Sequence, residues 1–165
     1  MMKVAFHTLG CKVNQYETQA IREDFLKNGF FEVEESEYAD CYVINTCTVT
    51  HLADRKARQQ IRKFLRINPE AVIVATGCYA QMSPDEISKI EGVSLIAGTN
   101  EKTKILSHVQ KLLEEKEETP IHLHLPYEEL KVYEETGRIV SMEDRTRAYI
   151  KIEEGCDRFC AYCII

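Results

Sequence analysis

Seven cysteines are the residues in this chain of 165 with the clearest capacity for chemistry. They are Cys11, Cys41, Cys47, Cys78, Cys156, Cys160 and Cys163. The sequence opens without a leader-like apolar segment, and its apolar runs are too short to cross a membrane. We therefore expect a cytoplasmic protein whose thiols serve as metal ligands or redox groups rather than as disulfides.

Three of these thiols lie close together in sequence. Cys156, Cys160 and Cys163 have the spacing C-x3-C-x2-C. Three thiolates in one loop can bind three irons of a 4Fe-4S cluster and leave the fourth iron open for a substrate. A zinc site that takes its fourth ligand from elsewhere is the alternative.

A second set is dispersed in sequence but shares a structural context. Cys11, Cys47 and Cys78 each follow a predicted buried strand and precede a predicted helix. Parallel strands place such loops at one edge of the sheet, where open α/β sheets bind ligands. We expect these thiols to converge on an iron–sulfur cluster with one open iron, or on zinc with an open position; three buried structural cysteines are the alternative.

Cys41 begins the strand that ends before Cys47, about 20 Å away, and is expected to be a core residue.

The elements that must position these thiols are predicted from hydrophobic periodicity. Strands and helices alternate over residues 1–117, which favours an α/β domain with a doubly wound, Rossmann-like parallel sheet and helices on both faces. The predicted strands are 3–9, 30–33, 41–46, 71–76 and 93–97, and the predicted helices are 15–28, 50–68 and 100–117. A turn is predicted at 10–14, and Ser83 with Glu86 predicts a capping box at a further helix start.

Charge is unevenly distributed along the chain. The formal net charge of −6 argues against a protein that coats nucleic acid by bulk charge. Residues 114–135 hold eight Glu and two Lys, and we interpret 118–145 as an acidic linker. By contrast, Arg55, Arg58, Arg62 and Arg66 recur at spacings that place them on one helix face. This face is either a contact for RNA phosphates or the ordinary solvated side of an amphipathic helix.

Four segments together resemble one family. They are Thr8-Leu9-Gly10-Cys11-Lys12-Val13-Asn14, Asn45-Thr46-Cys47-Thr48-Val49, Gly77-Cys78-Tyr79-Ala80-Gln81 and Glu154-Gly155-Cys156 with the cysteine spacing that follows it. These are similar to the methylthiotransferase family of radical S-adenosylmethionine enzymes. The resemblance implies an auxiliary 4Fe-4S cluster on Cys11, Cys47 and Cys78. It implies a second 4Fe-4S cluster on Cys156, Cys160 and Cys163, which binds S-adenosylmethionine with Tyr162 near the adenine.

The resemblance also implies a reaction. Lys12-Val13 is typical of the branch that acts on N6-threonylcarbamoyladenosine in tRNA, inserting sulfur and a methyl group at adenine C2 next to the anticodon. The isopentenyladenosine branch typically has Gln-Met there, and the branch that acts on a ribosomal protein aspartate has Pro-Lys. The implied partners are the tRNA anticodon loop, a sulfur donor and an electron-donor protein, with no membrane. A non-catalytic α/β module that binds zinc or a cluster is a further alternative.

The family's catalytic domain is a β/α barrel, and a full eight-fold barrel takes about 250 residues. Residues 147–153 predict a strand that leads into Cys156. We therefore expect residues 146–165 to be the start of a truncated barrel, after the domain 1–117 and the linker 118–145. The piece alone is not expected to turn over.

Overall fold

The computed structural model describes residues 1–47, 51–115, 120–126, 129–130, 137, 139–141, 149–153, 156, 158 and 160–161. In these residues the strands are β1 (Lys3–Thr8), β2 (Phe31–Glu32), β3 (Cys41–Thr46), β4 (Val72–Gly77), β5 (Leu95–Ala97) and β6 (Ile121–Leu123). The helices are α1 (Lys12–Lys27), α2 (His51–Ile67), α3 (Cys78–Met82), α4 (Pro84–Ser88) and α5 (Ile105–Glu114), with a 3-10 turn at Lys102–Lys104 before α5. None of these helices combines the length and apolar character needed to cross a membrane.

All neighbouring strands of the sheet run parallel, in the order β2-β1-β3-β4-β5-β6. The order reverses at β1, because β2 lies on one side of it and β3 on the other. This is the doubly wound order 2-1-3-4-5, extended by one strand. The predicted α/β class with a Rossmann-like parallel sheet is confirmed. Ligands of such sheets bind outside the carboxyl ends of the strands at the reversal, which here lies between β1 and β3.

Helices cover both faces of the sheet and build two apolar layers. Helices α1 and α5 pack on one face through residues such as Phe25 and Val109. Helices α2, α3 and α4 pack on the other through residues such as Phe64, Tyr79 and Ile87. Successive strand residues point to opposite faces, so the central strands β3 and β4 are buried along their whole length.

Helix α1 begins earlier than predicted, whereas the helix start predicted at Ser83 is confirmed, with Ser83 as N-cap and Pro84 as the first helical residue of α4. Helix α1 starts at Lys12 rather than residue 15, so Cys11 is its N-cap residue and part of the predicted turn is helical. The capping box predicted at Ser83 is wrong, because Ser83 makes no side-chain cap hydrogen bond. Ser83 also ends α3, and the Glu86 carboxylate instead accepts a hydrogen bond of 3.0 Å from the Tyr79 hydroxyl.

The segment after residue 117 contributes to the sheet. Strand β6 lies within the segment interpreted as an acidic linker and pairs with β5 in parallel, with Leu95 opposite Ile121 and Ala97 opposite Leu123. The alternation of His122 and His124 indicates an extended stretch here, and the structure adds its pairing with β5. The strand expected over 147–153 is not found in its described part, since residues 149–153 form no strand and lie against α1 instead.

Candidate metal centre

Three cysteines lie at the carboxyl ends of three neighbouring strands. Cys11 caps α1 after β1, Cys47 directly follows β3, and Cys78 is the first residue of α3 after β4. The ends of β3 and β4 are level, because Thr46 pairs with Gly77. Cys47 is buried, whereas Cys11 and Cys78 are exposed, and all three are free thiols. The structure thus brings the predicted set to one edge of the sheet, at and beside the reversal of strand order.

Glycines allow the three loops to approach one another. Gly10 has φ +123°, and a Cβ there would lie 2.8 Å from the Cys47 Cβ and 3.0 Å from Asn14 Oδ1. Gly77 has φ +91°, and a Cβ there would lie 2.3 Å from Asn45 Oδ1 and 2.4 Å from a backbone oxygen of β3. Residues with a side chain rarely adopt this backbone region, so both positions depend on glycine.

A buried amide network joins the loops beneath the thiols. The Asn14 side-chain amide donates to Asn45 Oδ1 at 2.8 Å and to the Thr46 carbonyl at 3.0 Å. Asn45 in turn donates to the Asn14 carbonyl at 3.0 Å and to Thr18 Oγ1 at 3.2 Å. The Cys11 thiol donates to Asn14 Oδ1 at 3.1 Å. These hydrogen bonds tie α1 and its N-cap residue Cys11 to the end of β3.

The pKa of the Cys78 thiol lies above its ordinary value. Burial of the thiol is the main cause, and the thiols of Cys47 and Cys11 and the carboxylate of Glu17 raise the pKa further, whereas Lys102 lowers it.

The chemistry of this donor set fits an iron–sulfur cluster. Three thiols at adjacent strand ends, two of them reachable from solvent, supply the soft ligands that such clusters bind. Among the residues that the structure describes, no three His, Cys, Asp or Glu side chains are placed to share a single metal ion.

Cys41 lies at the other end of the sheet, as expected. It pairs with Val4 and Val72 near the start of β1 and β4, and its side chain is fully buried in the apolar layer beneath α1 and α5. Burial raises the pKa of its thiol, and nearby Asp40 adds to the rise. A neutral thiol in apolar surroundings is a packing residue rather than a ligand.

Sequence analysis missed a buried ionic group beside this site. The Glu17 carboxylate in α1 accepts from Lys102 Nζ and also lies 3.5 Å from Lys151 Nζ. The three side chains are 4%, 2% and 9% exposed. Local sequence gives no signal of this, because the solvated face of an amphipathic helix also carries Glu, and Lys102 is 85 positions away.

The second cysteine set is described only in part. Cys156 and Cys160 are exposed free thiols. Cys163 and Tyr162 lie outside the described residues. The roles predicted for these four residues therefore stay predictions.

The basic face of α2 has the predicted orientation. The arginines at 55, 58, 62 and 66 are exposed, while Ala57, Ile61 and Phe64 face the core. Between α2 and α4 lies an open groove of about 750 Å³. Its charged lining consists of Arg58, Arg62, Arg66, Glu86, Lys89 and Glu91. RNA contact by this face stays a prediction.

Comparison with known proteins agrees with the cysteine pattern. Residues 3–98 match the family described as Uncharacterized protein family UPF0004, and this match covers more than half of the chain. The chain belongs to this family. The matched region contains Cys11, Cys47 and Cys78 and ends at the close of β5.

Relatives match along the whole chain. A Bacillus subtilis (strain 168) protein named threonylcarbamoyladenosine tRNA methylthiotransferase MtaB is 49% identical over 165 residues, which is 100% of this chain and 36% of the relative. A protein of the same name from Aquifex aeolicus (strain VF5) is 40% identical over 99% of this chain and 39% of the relative. A Pelagibacter ubique (strain HTCC1062) protein named tRNA-2-methylthio-N(6)-dimethylallyladenosine synthase is 27% identical over 100% of this chain and 37% of the relative.

These matches confirm the resemblance to methylthiotransferases that the four sequence segments indicated. The chain spans somewhat over a third of the length of these curated relatives.

Proposed function

We propose that the whole protein is a tRNA methylthiotransferase that uses radical S-adenosylmethionine chemistry and two 4Fe-4S clusters. Its proposed substrate is N6-threonylcarbamoyladenosine beside the anticodon, which gains sulfur and a methyl group at adenine C2. The observation that carries the proposal is the convergence of Cys11, Cys47 and Cys78 at the reversal of strand order. The names of the relatives that match along the chain support it.

In this proposal Cys11, Cys47 and Cys78 hold the auxiliary cluster, and Cys156, Cys160 and Cys163 hold the cluster that binds S-adenosylmethionine, with Tyr162 near its adenine. When bound, the two clusters supply the electron that cleaves S-adenosylmethionine and an open iron site for the sulfur. A sulfur donor and an electron-donor protein are required partners of the reaction.

The described residues have defined tasks at the first site. The Asn14–Asn45 amide pair fixes the loop after β1 against the end of β3, which holds Cys11 and Cys47 in place. Gly10 and Gly77 keep the space between the loops free of side chains. A thiolate at Cys11 would lie at the N-terminal end of α1, where the helix dipole stabilises negative charge.

We assign the exposed arginines of α2 to the tRNA phosphates. Helix α2 begins four residues after Cys47, so its N-terminal end lies on the same side of the sheet as the thiols. Arg55, Arg58, Arg62 and Arg66 form a positive stripe that leads away from them on a chain with formal net charge −6. Contacts to phosphate position a nucleic acid without reading its sequence, which suits a single-stranded anticodon loop whose target base must be splayed out.

Action on isopentenyladenosine is the second candidate. The Pelagibacter ubique relative named as a dimethylallyladenosine synthase supports it at 27% identity. We prefer the threonylcarbamoyladenosine branch because relatives with that name reach 49% and 40% identity and because Lys12-Val13 is typical of it. Incubation of the full-length enzyme with tRNA of either kind and with ribosomes, followed by mass spectrometry, separates these substrates and the ribosomal protein aspartate.

The cluster assignment is tested by metal analysis after anaerobic reconstitution of the chain. We expect about one or two four-iron clusters with matching sulfide in the wild type. Cys47→Ala should lose one of them, while the matched variant Cys41→Ala should lose none, since Cys41 lies at the opposite end of the strand. Uptake of zinc without sulfide would favour a non-catalytic zinc-binding module. Equal iron in Cys47→Ala and wild type would show that the first cysteine set is structural.

A further inference from the structure

Helix α1 carries two carboxylates that are unusual in being buried. Glu17 is 3% and Glu23 is 8% exposed. They are six positions apart, which is about 9 Å along a helix axis. Buried carboxylates require partners. For both residues, part of that partnership comes from the chain beyond residue 137, which lies outside the region that matches the family.

Glu23 binds the backbone of this later segment. Its carboxylate accepts hydrogen bonds from the Val140 N–H at 2.8 Å and from the Ser141 N–H at 3.1 Å. Lys27, one turn further along α1, lies 3.5 Å from the same carboxylate. Ionised acceptors form stronger hydrogen bonds than neutral ones, so Glu23 is a firm attachment point.

Glu17 binds a side chain of the same segment. Lys102 belongs to the turn before α5 and neutralises Glu17 from within the sheet domain. Lys151 approaches the same oxygen from the later segment at 3.5 Å. Removing one partner from such a buried group leaves a charge without compensation, which costs several kcal/mol in other proteins.

The contacts progress along α1 towards the first cysteine set. Gly137 lines a cavity together with Asp24 and Lys27 near the C-terminal end of α1. Residues 140–141 follow at Glu23. Near the N-terminal end, Lys12 Nζ lies 5.7 Å from the centroid of the Tyr149 ring. We call residues 137, 139–141 and 149–153 the α1 strap. The strap ends at the helix terminus that carries Cys11.

We propose that Glu17 is a positioning residue that docks the α1 strap through Lys151, and so holds Cys156, the first thiol of the second set, near the edge that carries the first set. Lys151 is five residues before Cys156. At about 3.3 Å per residue, the Cα atom of Cys156 therefore lies no more than about 17 Å from that of the docked Lys151. The role of Glu17 in docking rests on its contacts with Lys102 and Lys151 and does not depend on the proposed function. Its consequence for catalysis rests on the proposed function, because a reaction that uses two clusters needs a fixed separation between them.

The test is hydrogen exchange of the amides of residues 149–153 in the full-length protein without clusters. In Lys151→Met we expect exchange at least about tenfold faster than in the wild type, because the strap loses its ionic attachment. Lys151→Arg, which keeps the charge, should restore the wild-type exchange rate. Lys111→Met removes an exposed lysine of α5 and is the matched control, with no expected change. Unchanged exchange in Lys151→Met would overturn the proposal.

A second variant identifies the partner. Glu17→Gln should also speed exchange in 149–153, and adding Lys151→Met to it should give no further increase, since both changes break one contact. Additive increases would show that Lys151 docks elsewhere and would overturn the role of Glu17. If Glu17→Gln fails to fold because Lys102 loses its partner, Lys151→Met still decides the docking.

Kinetics distinguish positioning from general stability. In the loaded full-length enzyme, Lys151→Met should lower kcat about tenfold with unchanged KM for tRNA and unchanged iron content. Equal kcat in the variant and wild type would overturn the consequence for catalysis. A wild type that methylthiolates no tRNA would refute the proposed function, while the exchange result would still decide the docking.

Discussion

Cysteine occurs at both ends of strand β3, and the two surroundings differ in polarity, backbone and access. At the amino end, Cys41 is fully buried among apolar side chains. At the carboxyl end, Cys47 lies against Gly10 of the loop after β1 and beside a buried amide network. Two more thiols lie at the ends of neighbouring strands. The position of a cysteine along a parallel strand therefore decides whether its thiol packs in the apolar core or can bind a ligand.

The two ends also differ in what fixes them. Apolar packing fixes the amino end, so a polar substitution there costs the free energy of desolvating the new group. Backbone geometry fixes the carboxyl end, because Gly77 occupies a conformation that only glycine adopts readily beside Asn45. Two predictions test this contrast, and a third tests the contact between α1 and the α1 strap.

The largest expected effect is at Gly77. Gly77→Ala places a Cβ 2.3 Å from Asn45 Oδ1 at φ +91°, so we expect it to lower the free energy of unfolding by about 3 kcal/mol or more. Gly29→Ala is the matched control, since Gly29 has φ +86° with no atom within 4 Å of the added Cβ, and should cost about 1 kcal/mol. Urea unfolding of both variants measures the difference, and equal costs would show that crowding at the site is relieved by small movements.

A smaller effect is expected from replacing the thiol by a hydroxyl at the two cysteines that flank β3, Cys41 at its start and Cys47 just after its end, in the metal-free chain. Cys41→Ser buries a hydroxyl in the apolar layer and should cost about 2 kcal/mol. Cys47→Ser at the polar end should cost less than about 1 kcal/mol, because its surroundings offer hydrogen-bond partners. Urea unfolding is again the measurement. The reverse order of costs would contradict the contrast between the ends.

The smallest expected effect concerns pH and the α1 strap. Burial alone would raise the pKa of Glu23, but the N–H donors of Ser141 and Val140, with Gln19 and Lys27, lower it from its ordinary 4.5. The unfolded chain then binds more protons, so this stabilisation is fully present above pH 4.5 and is lost as pH falls through the folded pKa. As the pH falls, the free energy of unfolding of Glu23→Gln should therefore decrease less steeply than that of the wild type.

The neighbouring acid gives the opposite sign and serves as the control. Burial raises the pKa of Asp24 above 3.8, although Lys27 opposes the rise. Here the folded chain binds more protons, so stability falls as pH rises through this range, and Asp24→Asn should remove that fall. Urea unfolding from pH 3 to pH 6 measures both slopes. A steeper acid loss in Glu23→Gln than in the wild type would contradict the strap contact.

Much of the fold follows from local sequence. The alternation of apolar strands with amphipathic helices predicts the parallel sheet, and β3 at Cys41–Thr46 begins and ends where its Val, Ile and Tyr content indicates. The extended stretch around His122 is indicated by local alternation, but its place as the edge strand β6 beside β5 is not, because a strand's neighbour is decided by chain topology. The start of α1 was misplaced because Cys11 is an uncommon N-cap and gives no capping signal.

The candidate site divides in the same way. The sequence determines that three thiols follow three buried strands and that Cys41 precedes one, and the side-chain geometry of a parallel sheet then places three together and one apart. Tertiary structure alone decides that Glu17 meets Lys102 and Lys151, and that β6 and the α1 strap join the domain. The reason is the separation in sequence over which each interaction acts. Local periodicity is set by steric and solvent preferences within a few residues. Contacts across 85 or more positions exist only once the chain topology has fixed which elements are neighbours.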